Sequence, residues 1–190
     1  IVTDVYGNFE TIVDPPTRVA EGTDFTFVTG GNNLTVAIDT EGRVWTSGTS
    51  ANLLGRPAPT TIEKRTLSPV TSQPEKMTKA QTFNNGFMAL GESGRLYAIG
   101  INHYNIMGKT EADLGKTFTE FTSVIPHKRF IDFSTAYRNL YAIDDEGNLW
   151  GWGYKTSNSL GSNPTGYVKN YAWFGDTMLS DGVMKFQKVV

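Results

Sequence analysis

The stretch Ala142-Ile143-Asp144-Asp145-Glu146-Gly147-Asn148-Leu149-Trp150-Gly151-Trp152-Gly153 decides the fold, because the chain contains three versions of it. Ala37-Ile38-Asp39-Thr40-Glu41-Gly42-Arg43-Val44-Trp45-Thr46-Ser47-Gly48 is one, and Ala89-Leu90-Gly91-Glu92-Ser93-Gly94-Arg95-Leu96-Tyr97-Ala98-Ile99-Gly100 is another. The turn glycines Gly42, Gly94 and Gly147 stand 52 and 53 residues apart, and the closing glycines Gly48, Gly100 and Gly153 keep the same separations. A fixed period of this size marks a repeat architecture. Each copy runs on to a Leu/Met-Gly pair, Leu54-Gly55, Met107-Gly108 and Leu160-Gly161. Upstream, Phe25, Met77 and Phe130 hold equivalent places, as do Val28, Ala80 and Phe133.

Within a copy the apolar residues recur at every second position, the period of a strand, and not at three and four, so very little helix is expected. Each unit reads as an apolar strand, a tight turn with an acidic residue just before a Gly, and a second strand. The turn glycine supplies the positive φ that a hairpin needs. Val44, Leu96 and Leu149, each followed by an aromatic (Trp45, Tyr97, Trp150), suit a pleated and buried surface. The unit is therefore a small antiparallel sheet.

The order of an apolar strand, Ala-Leu/Ile, acidic-x-Gly, apolar-aromatic, x-Gly and then Leu-Gly resembles the repeat of the regulator of chromosome condensation (RCC1-like) family. The third copy with Leu160-Gly161 matches it best, and the resemblance spans roughly residues 17–190, from the proline-led Pro16-Thr17-Arg18-Val19 onward. It implies a β-propeller, a ring of about seven four-stranded blades with a repeat of about 50 residues. Where the family has Gly-His before the Ala-Leu strand, this chain has Asn32-Asn33, Asn84-Asn85 and Arg138-Asn139. The expected fold class is all-β, a partial β-propeller of three such blades plus the first strand of a fourth. The expected divisions are an N-terminal extension over 1–24, repeats over 25–76, 77–129 and 130–183, and the start of a fourth repeat over 184–190, where Met184-Lys185-Phe186-Gln187 compares with Phe130-Ile131-Asp132-Phe133. A blade buries its faces only against its neighbours. A protein partner, whether more of the same polypeptide, a second copy or another chain, is expected to complete or cap the ring.

Composition narrows the function. No apolar run approaches the roughly 20 residues of a membrane span, and a net charge of −2 gives no long-range attraction for a phosphate backbone. Neither a membrane span nor a nucleic-acid partner is expected. The chain has no cysteine, which excludes disulfides, thiolate catalysis and Cys-ligated metals. It opens at Ile1 without a leader, which reads as a processed product or a segment of a longer polypeptide.

The search for chemistry returns decoys. Met107-Gly108-Lys109-Thr110 and Leu114-Gly115-Lys116-Thr117 end like phosphate loops, but the earlier glycine such a loop requires is replaced by His103 and Thr110. His103 and His127 lack the helical pairing of a metal site, and Gly91-Glu92-Ser93-Gly94 has the wrong spacing for a nucleophile elbow. Asp39-Thr40-Glu41-Gly42 and Asp144-Asp145-Glu146-Gly147-Asn148 could offer oxygens to calcium, but their recurrence in the repeats favours turn-making. Asn33-Leu34-Thr35 forms a glycosylation sequon within a repeat strand. No catalytic, cofactor or metal residues are assigned, and no enzyme is expected.

What remains is surface. The long segments 56–76, 109–129 and 162–183 are candidate binding loops on a rigid scaffold. The last holds Tyr167, Tyr171, Trp173 and Phe174, which suit an interface or the packing between blades. The expected function is that of a non-catalytic protein-interaction or structural scaffold. Its composition, rich in Thr, Asn, Gly and Ser, suits an extracellular or virion component such as a bacteriophage capsid or tail protein. The family resemblance also implies two alternatives, guanine-nucleotide exchange and a chromatin-associated role.

Overall fold

The computed structural model describes residues 18–153 apart from 32, 110, 137 and the side chain of 111, together with the backbone of 2–3, 9–10, 154, 166–168 and 171–173. Strands β1 (Val2–Thr3) and β2 (Phe9–Glu10) pair with each other. Three antiparallel sheets follow in chain order. The first joins β3 (Phe25–Gly31), β4 (Leu34–Asp39), β5 (Val44–Gly48) and β6 (Ser68–Pro69), each beside the next. The second repeats the order with β7 (Met77–Phe83), β8 (Gly86–Gly91), β9 (Leu96–Ile101) and β10 (Thr117–Val124). The third runs β11 (Phe130–Thr135), β12 (Asn139–Asp144) and β13 (Leu149–Tyr154), and then β15 (Tyr171–Trp173) and β14 (Gly166–Val168). One short α-helix, α1 (Thr61–Arg65), and three single 3-10 turns complete the described residues. The architecture is thus all-β, with three sheets laid out as propeller blades; residues 184–190 lie outside the described residues.

The sheets repeat in detail. In each, the pairing of the first strand with the second slips by one residue near its start, between Phe25 and Phe27, Met77 and Lys79, and Phe130 and Asp132. Such a bulge bends and twists the strand. In the first two blades the bulged residue is a threonine, Thr26 or Thr78, whose hydroxyl donates to the carbonyl of Ile38 or Leu90.

Alternation along the strands sends successive side chains to opposite faces of each blade. Val36, Ile38 and Val44 on the front of blade 1 meet Ala80, Phe87, Ala89 and Ile99 on the back of blade 2 in one apolar core. Met88, Leu90, Leu96 and Ala98 on the front of blade 2 meet Phe133, Leu140, Ala142 and Trp152 on the back of blade 3 in a second. Blade 2 is covered on both sides, so every residue of β8 is buried. In β12 of blade 3 burial alternates, because among the described residues only the back face has a neighbour. Each large side chain taken fully out of water in these cores is worth about 1.5–3 kcal/mol.

Candidate functional site

The acidic hairpin corners are the most elaborated polar features of the fold. Asp39 is 2% exposed and Asp144 is 0% exposed, so their charges require partners. In blade 1, Asp39 Oδ1 accepts the backbone N–H groups of Glu41 (3.0 Å) and Arg43 (2.9 Å), while Oδ2 accepts Arg43 Nε (2.7 Å) and Trp45 Nε1 (2.8 Å). Blade 3 repeats the design: Asp144 Oδ1 accepts from the amides of Glu146 (3.1 Å) and Asn148 (2.7 Å). Its Oδ2 accepts from Asn148 Nδ2 (3.0 Å), Trp150 Nε1 (2.7 Å) and Lys128 Nζ (2.9 Å). Lys128 Nζ also sits 4.4 Å from the centre of the Trp150 ring. Burial pushes both carboxyls up, but the hydrogen bonds together outweigh it and hold both below the ordinary aspartate range.

Blade 2 reaches the same end by a different route. Its corner position is Gly91, and the missing carboxylate is supplied by Glu75 from the preceding segment. Glu75 Oε2 accepts the Ser93 amide (2.8 Å), and Oε1 accepts the Ser93 hydroxyl (2.7 Å) and Tyr97 hydroxyl (2.8 Å). A Cβ on Gly91 would stand 2.4 Å from Glu75 Cδ, so the absent side chain makes the room that Glu75 fills. Burial raises the Glu75 carboxyl, and the Ser93 and Tyr97 bonds bring it below its usual value; burial and then Glu75 push the Tyr97 phenol up. The residue one repeat after Glu75 is Lys128, the cation on Asp144. The exchange of charge between positions 75 and 128 therefore mirrors the exchange between Gly91 and Asp144.

The turn glycines Gly42, Gly94 and Gly147 have φ of 78°, 82° and 83°, the left-handed region where a side chain is strained. The closing glycines meet a different constraint, since a Cβ on Gly48, Gly100 or Gly153 would lie 2.2–2.5 Å from a backbone oxygen of the adjacent strand's start. Gly55 and Gly108 follow Leu54 and Met107, both fully buried. Gly161 lies outside the described residues.

Comparison with solved structures follows this geometry. Prp20p from Saccharomyces cerevisiae, whose binding to Gsp1p and histones was studied with its structure, superposes with a TM-score of 0.62 at 22% identity, over 73% of this chain and 34% of Prp20p. Yeast RCC1 (Prp20) bound to Kap60 gives 0.66 at 17% identity, over 91% of this chain and 38% of the other. Human WBSCR16 gives 0.63 at 15% identity, over 77% and 39%.

The fold is a partial RCC1-like β-propeller.

The chain spans between a third and two fifths of the length of these RCC1-like structures. No protein-family model matches the sequence, and comparison with curated proteins finds no match.

On the RCC1-like frame the remaining sequence candidates take the following places. Lys109 of the first Gly-Lys-Thr stretch is half-buried, donates to the Ser123 carbonyl and lies 5.7 Å from the Phe118 ring centre. Burial pushes its amine down. Lys116 of the second pairs with Asp113 at 2.9 Å. His103 Nδ1 is 2.9 Å from Asn85 Nδ2, and His127 is exposed. Asn33 forms the turn between β3 and β4 with φ of 59°. Among the described residues no group of three or more His, Cys, Asp or Glu is placed to hold a metal ion, and no helix is long and apolar enough to cross a membrane. Tyr167, Tyr171 and Trp173 fall in β14 and β15, whose side chains lie outside the described residues, as does Phe174.

The structure adds two features that sequence reasoning missed. One is the polar seam between blades 2 and 3, where Lys79 Nζ meets Asp132 Oδ1 at 2.6 Å and Gln81 Oε1 accepts the Thr135 amide at 2.7 Å. The other is a cleft of about 670 Å³ where segments 56–76 and 109–129 approach each other, lined by Asn52, Pro57, Pro59, Thr119 and Glu120. Arg56 also lines it and donates to the carbonyls of Thr46 (2.9 Å), Glu63 (3.0 Å) and Thr66 (2.8 Å).

Proposed function

We propose that the chain is a non-catalytic RCC1-like propeller module that holds proteins together, as an interaction or structural scaffold within a larger assembly such as a bacteriophage virion. The observation that carries this reading is the use made of its hairpin-corner acids: Asp39, Glu75 and Asp144 are each engaged by one hairpin, with their oxygens turned to its amides, indoles and hydroxyls. A carboxylate held below its ordinary range by such bonds is a poor proton acceptor near neutral pH. The proline-lined cleft between segments 56–76 and 109–129 offers a shape suited to another chain. Prp20p binds Gsp1p and histones and yeast RCC1 binds Kap60, which supports a protein-docking role for propellers of this kind. The arc is completed or capped by further protein, of this polypeptide or another.

Cross-linking mass spectrometry on the native assembly tests the scaffold reading. Lys64 and Lys116, on the two long segments, are expected to give links to partner chains; links confined to this chain overturn it. The alternative of guanine-nucleotide exchange rests on the resemblance to the regulator of chromosome condensation family. Nucleotide release from a small GTPase is expected to be unchanged by the chain, and a stimulated rate would favour exchange.

A further inference from the structure

The three sheets share one register, so their back faces compare position by position. Phe87 and Ile99 lie opposite each other across β8 and β9, as Leu140 and Trp152 do across β12 and β13. All four are 1% exposed or less, within the cores between blades. The same register in blade 1 sets Thr35 opposite Ser47. Thr35 is exposed and Ser47 is half-buried. In the first strands, Ala80 and Phe133 are 0% and 2% exposed, whereas their counterpart Val28 is 69% exposed.

The polar character continues around this pair. Asn33, Thr35, Ser47, Thr49 and Arg65 line a hollow of about 400 Å³ against β4 and β5. The outer strand departs as well. On blade 2, β10 brings Phe121 edge-on to Phe87 with ring centres 5.8 Å apart, which widens the apolar back face. On blade 1, β6 begins at Ser68 opposite Thr46, short of Ser47, and the exposed Arg65 of α1 lines that end instead. Trp45, two residues before Ser47 on the same face, is held by its own blade. It gives its Nε1–H to Asp39 at 2.8 Å and meets Phe25 edge-on at 5.6 Å. Val28 is then a single exposed apolar residue, which is ordinary for a surface.

We propose that the back of blade 1 is a finished end of the propeller: in the native protein it faces water, and no further blade seats on it. The inference rests on reading the chain as the arc of a larger propeller, and it names which end of that arc stays bare. A blade with an apolar front, like those of blades 1 and 2, would strip water from the hydroxyls of Thr35, Ser47 and Thr49, the amide of Asn33 and the guanidinium of Arg65. It would offer them no hydrogen-bonding partner, and buried polar groups left unpaired oppose association. Stacked repeats need a polar outer face where the stacking stops. A closed ring has no such face, because every blade in it has two neighbours. The departures at Thr35, Ser47 and Arg65 therefore describe an arc that is open at blade 1, to which further protein adds at blade 3.

The absence of cysteine lets labelling read the face directly. Thr35→Cys, made in the full chain within the native assembly, is expected to react with a polyethylene glycol maleimide within about tenfold of its rate in the urea-unfolded chain. Ile99→Cys, on the covered back of blade 2, is the reference and is expected to react at least about a thousandfold more slowly than when unfolded. Labelling of Thr35→Cys as slow as that of Ile99→Cys overturns the proposal. Labelling that is fast in the isolated chain and slow in the assembly also overturns it, while supporting the scaffold reading, because a partner then covers the face. Fast labelling in an assembly whose Lys64 and Lys116 give no links to other chains upholds the bare face and removes the scaffold reading. A second variant needs no label. Thr35→Lys combined with Ser47→Lys is expected to assemble as the wild type does and to melt within about 2 °C of it. Lost assembly, or a fall in Tm as large as that of Phe87→Lys, overturns the proposal.

Discussion

Position 91 shows how one residue can be understood only with another far along the chain. Blades 1 and 3 place an aspartate at this corner; blade 2 places a glycine and brings Glu75 into the vacated space. Restoring the aspartate alone sets a second carboxylate against Glu75, so Gly91→Asp is expected to destabilise by about 1–3 kcal/mol through overpacking and like charge. Glu75→Lys alone leaves the Ser93 amide and Tyr97 hydroxyl without their acceptor and is expected to cost a similar amount. Together the two substitutions rebuild the Lys128–Asp144 arrangement, and the double variant should recover most of the loss. A urea-denaturation cycle over the four proteins reads the coupling, and simple additivity would show that the two blades do not share one design. The same corners set the response to acid. The folded carboxyls of Asp39 and Asp144 lie below the ordinary aspartate value of 3.8, so their stabilisation is present above that pH and is lost as the pH falls through the lower folded values. Asp144→Asn, which strands Lys128, is expected to cost roughly 3 kcal/mol at pH 7. The gap to the wild type should narrow as both are titrated well below pH 3.8, and a constant gap would mean that the charge of Asp144 contributes little.

At the scale of the element, the paired strands were legible and their partners were not. The hairpins at Gly42, Gly94 and Gly147 could be read because a turn and two alternating strands are local, written within a dozen residues. The fourth strand of each blade differs: β6 has two residues and β10 has eight, and each returns from a long segment with no shared pattern. The role of Glu75 is hidden in the sequence for the same reason, since a carboxylate that acts through space has no fixed spacing from its donors; the Gly in place of Asp at position 91 and the opposite charges at 75 and 128 are its only local signs. Helix α1 is a local feature that strand periodicity hid. Thr60 and Glu63 form a capping box around its start, with the Glu63 amide donating to Thr60 Oγ1 at 3.1 Å and the Thr60 amide donating to Glu63 Oε2 at 2.9 Å. Five residues cannot sustain a helix alone, and Arg56 ties both its end and the following loop to β5 through three carbonyls. Arg56→Ala is therefore expected to release the 57–67 segment, raising its amide exchange toward unfolded rates while the three sheets keep their protection. Retained protection over 57–67 would assign that stability to the capping box.

Across the whole molecule the arrangement is a row, not a shared centre. Two cores, one on each side of blade 2, hold three sheets, and no single apolar cluster touches all of them among the described residues. Adjacent residues of β8 consequently serve different junctions: Phe87 points back into the core with blade 1, and Met88 points forward into the core with blade 3. Stability in such a row is the sum of each sheet's own terms and those of its contacts with neighbours. Phe87→Ala is expected to cost about 3–5 kcal/mol and Met88→Ala about 2–5 kcal/mol, since each leaves a cavity in a fully buried site. The location of the damage should differ although the two positions are neighbours in sequence. Hydrogen exchange is expected to rise mainly in β3–β5 for Phe87→Ala and mainly in β11–β13 for Met88→Ala. If both variants loosened the two ends equally, the three blades would open as one cooperative unit and the nearest-neighbour description would fail. The expectation of unequal loosening follows from the strand period alone, because a side-chain repeat of two residues sends Phe87 and Met88 to opposite faces of a sheet that has a neighbour on each side.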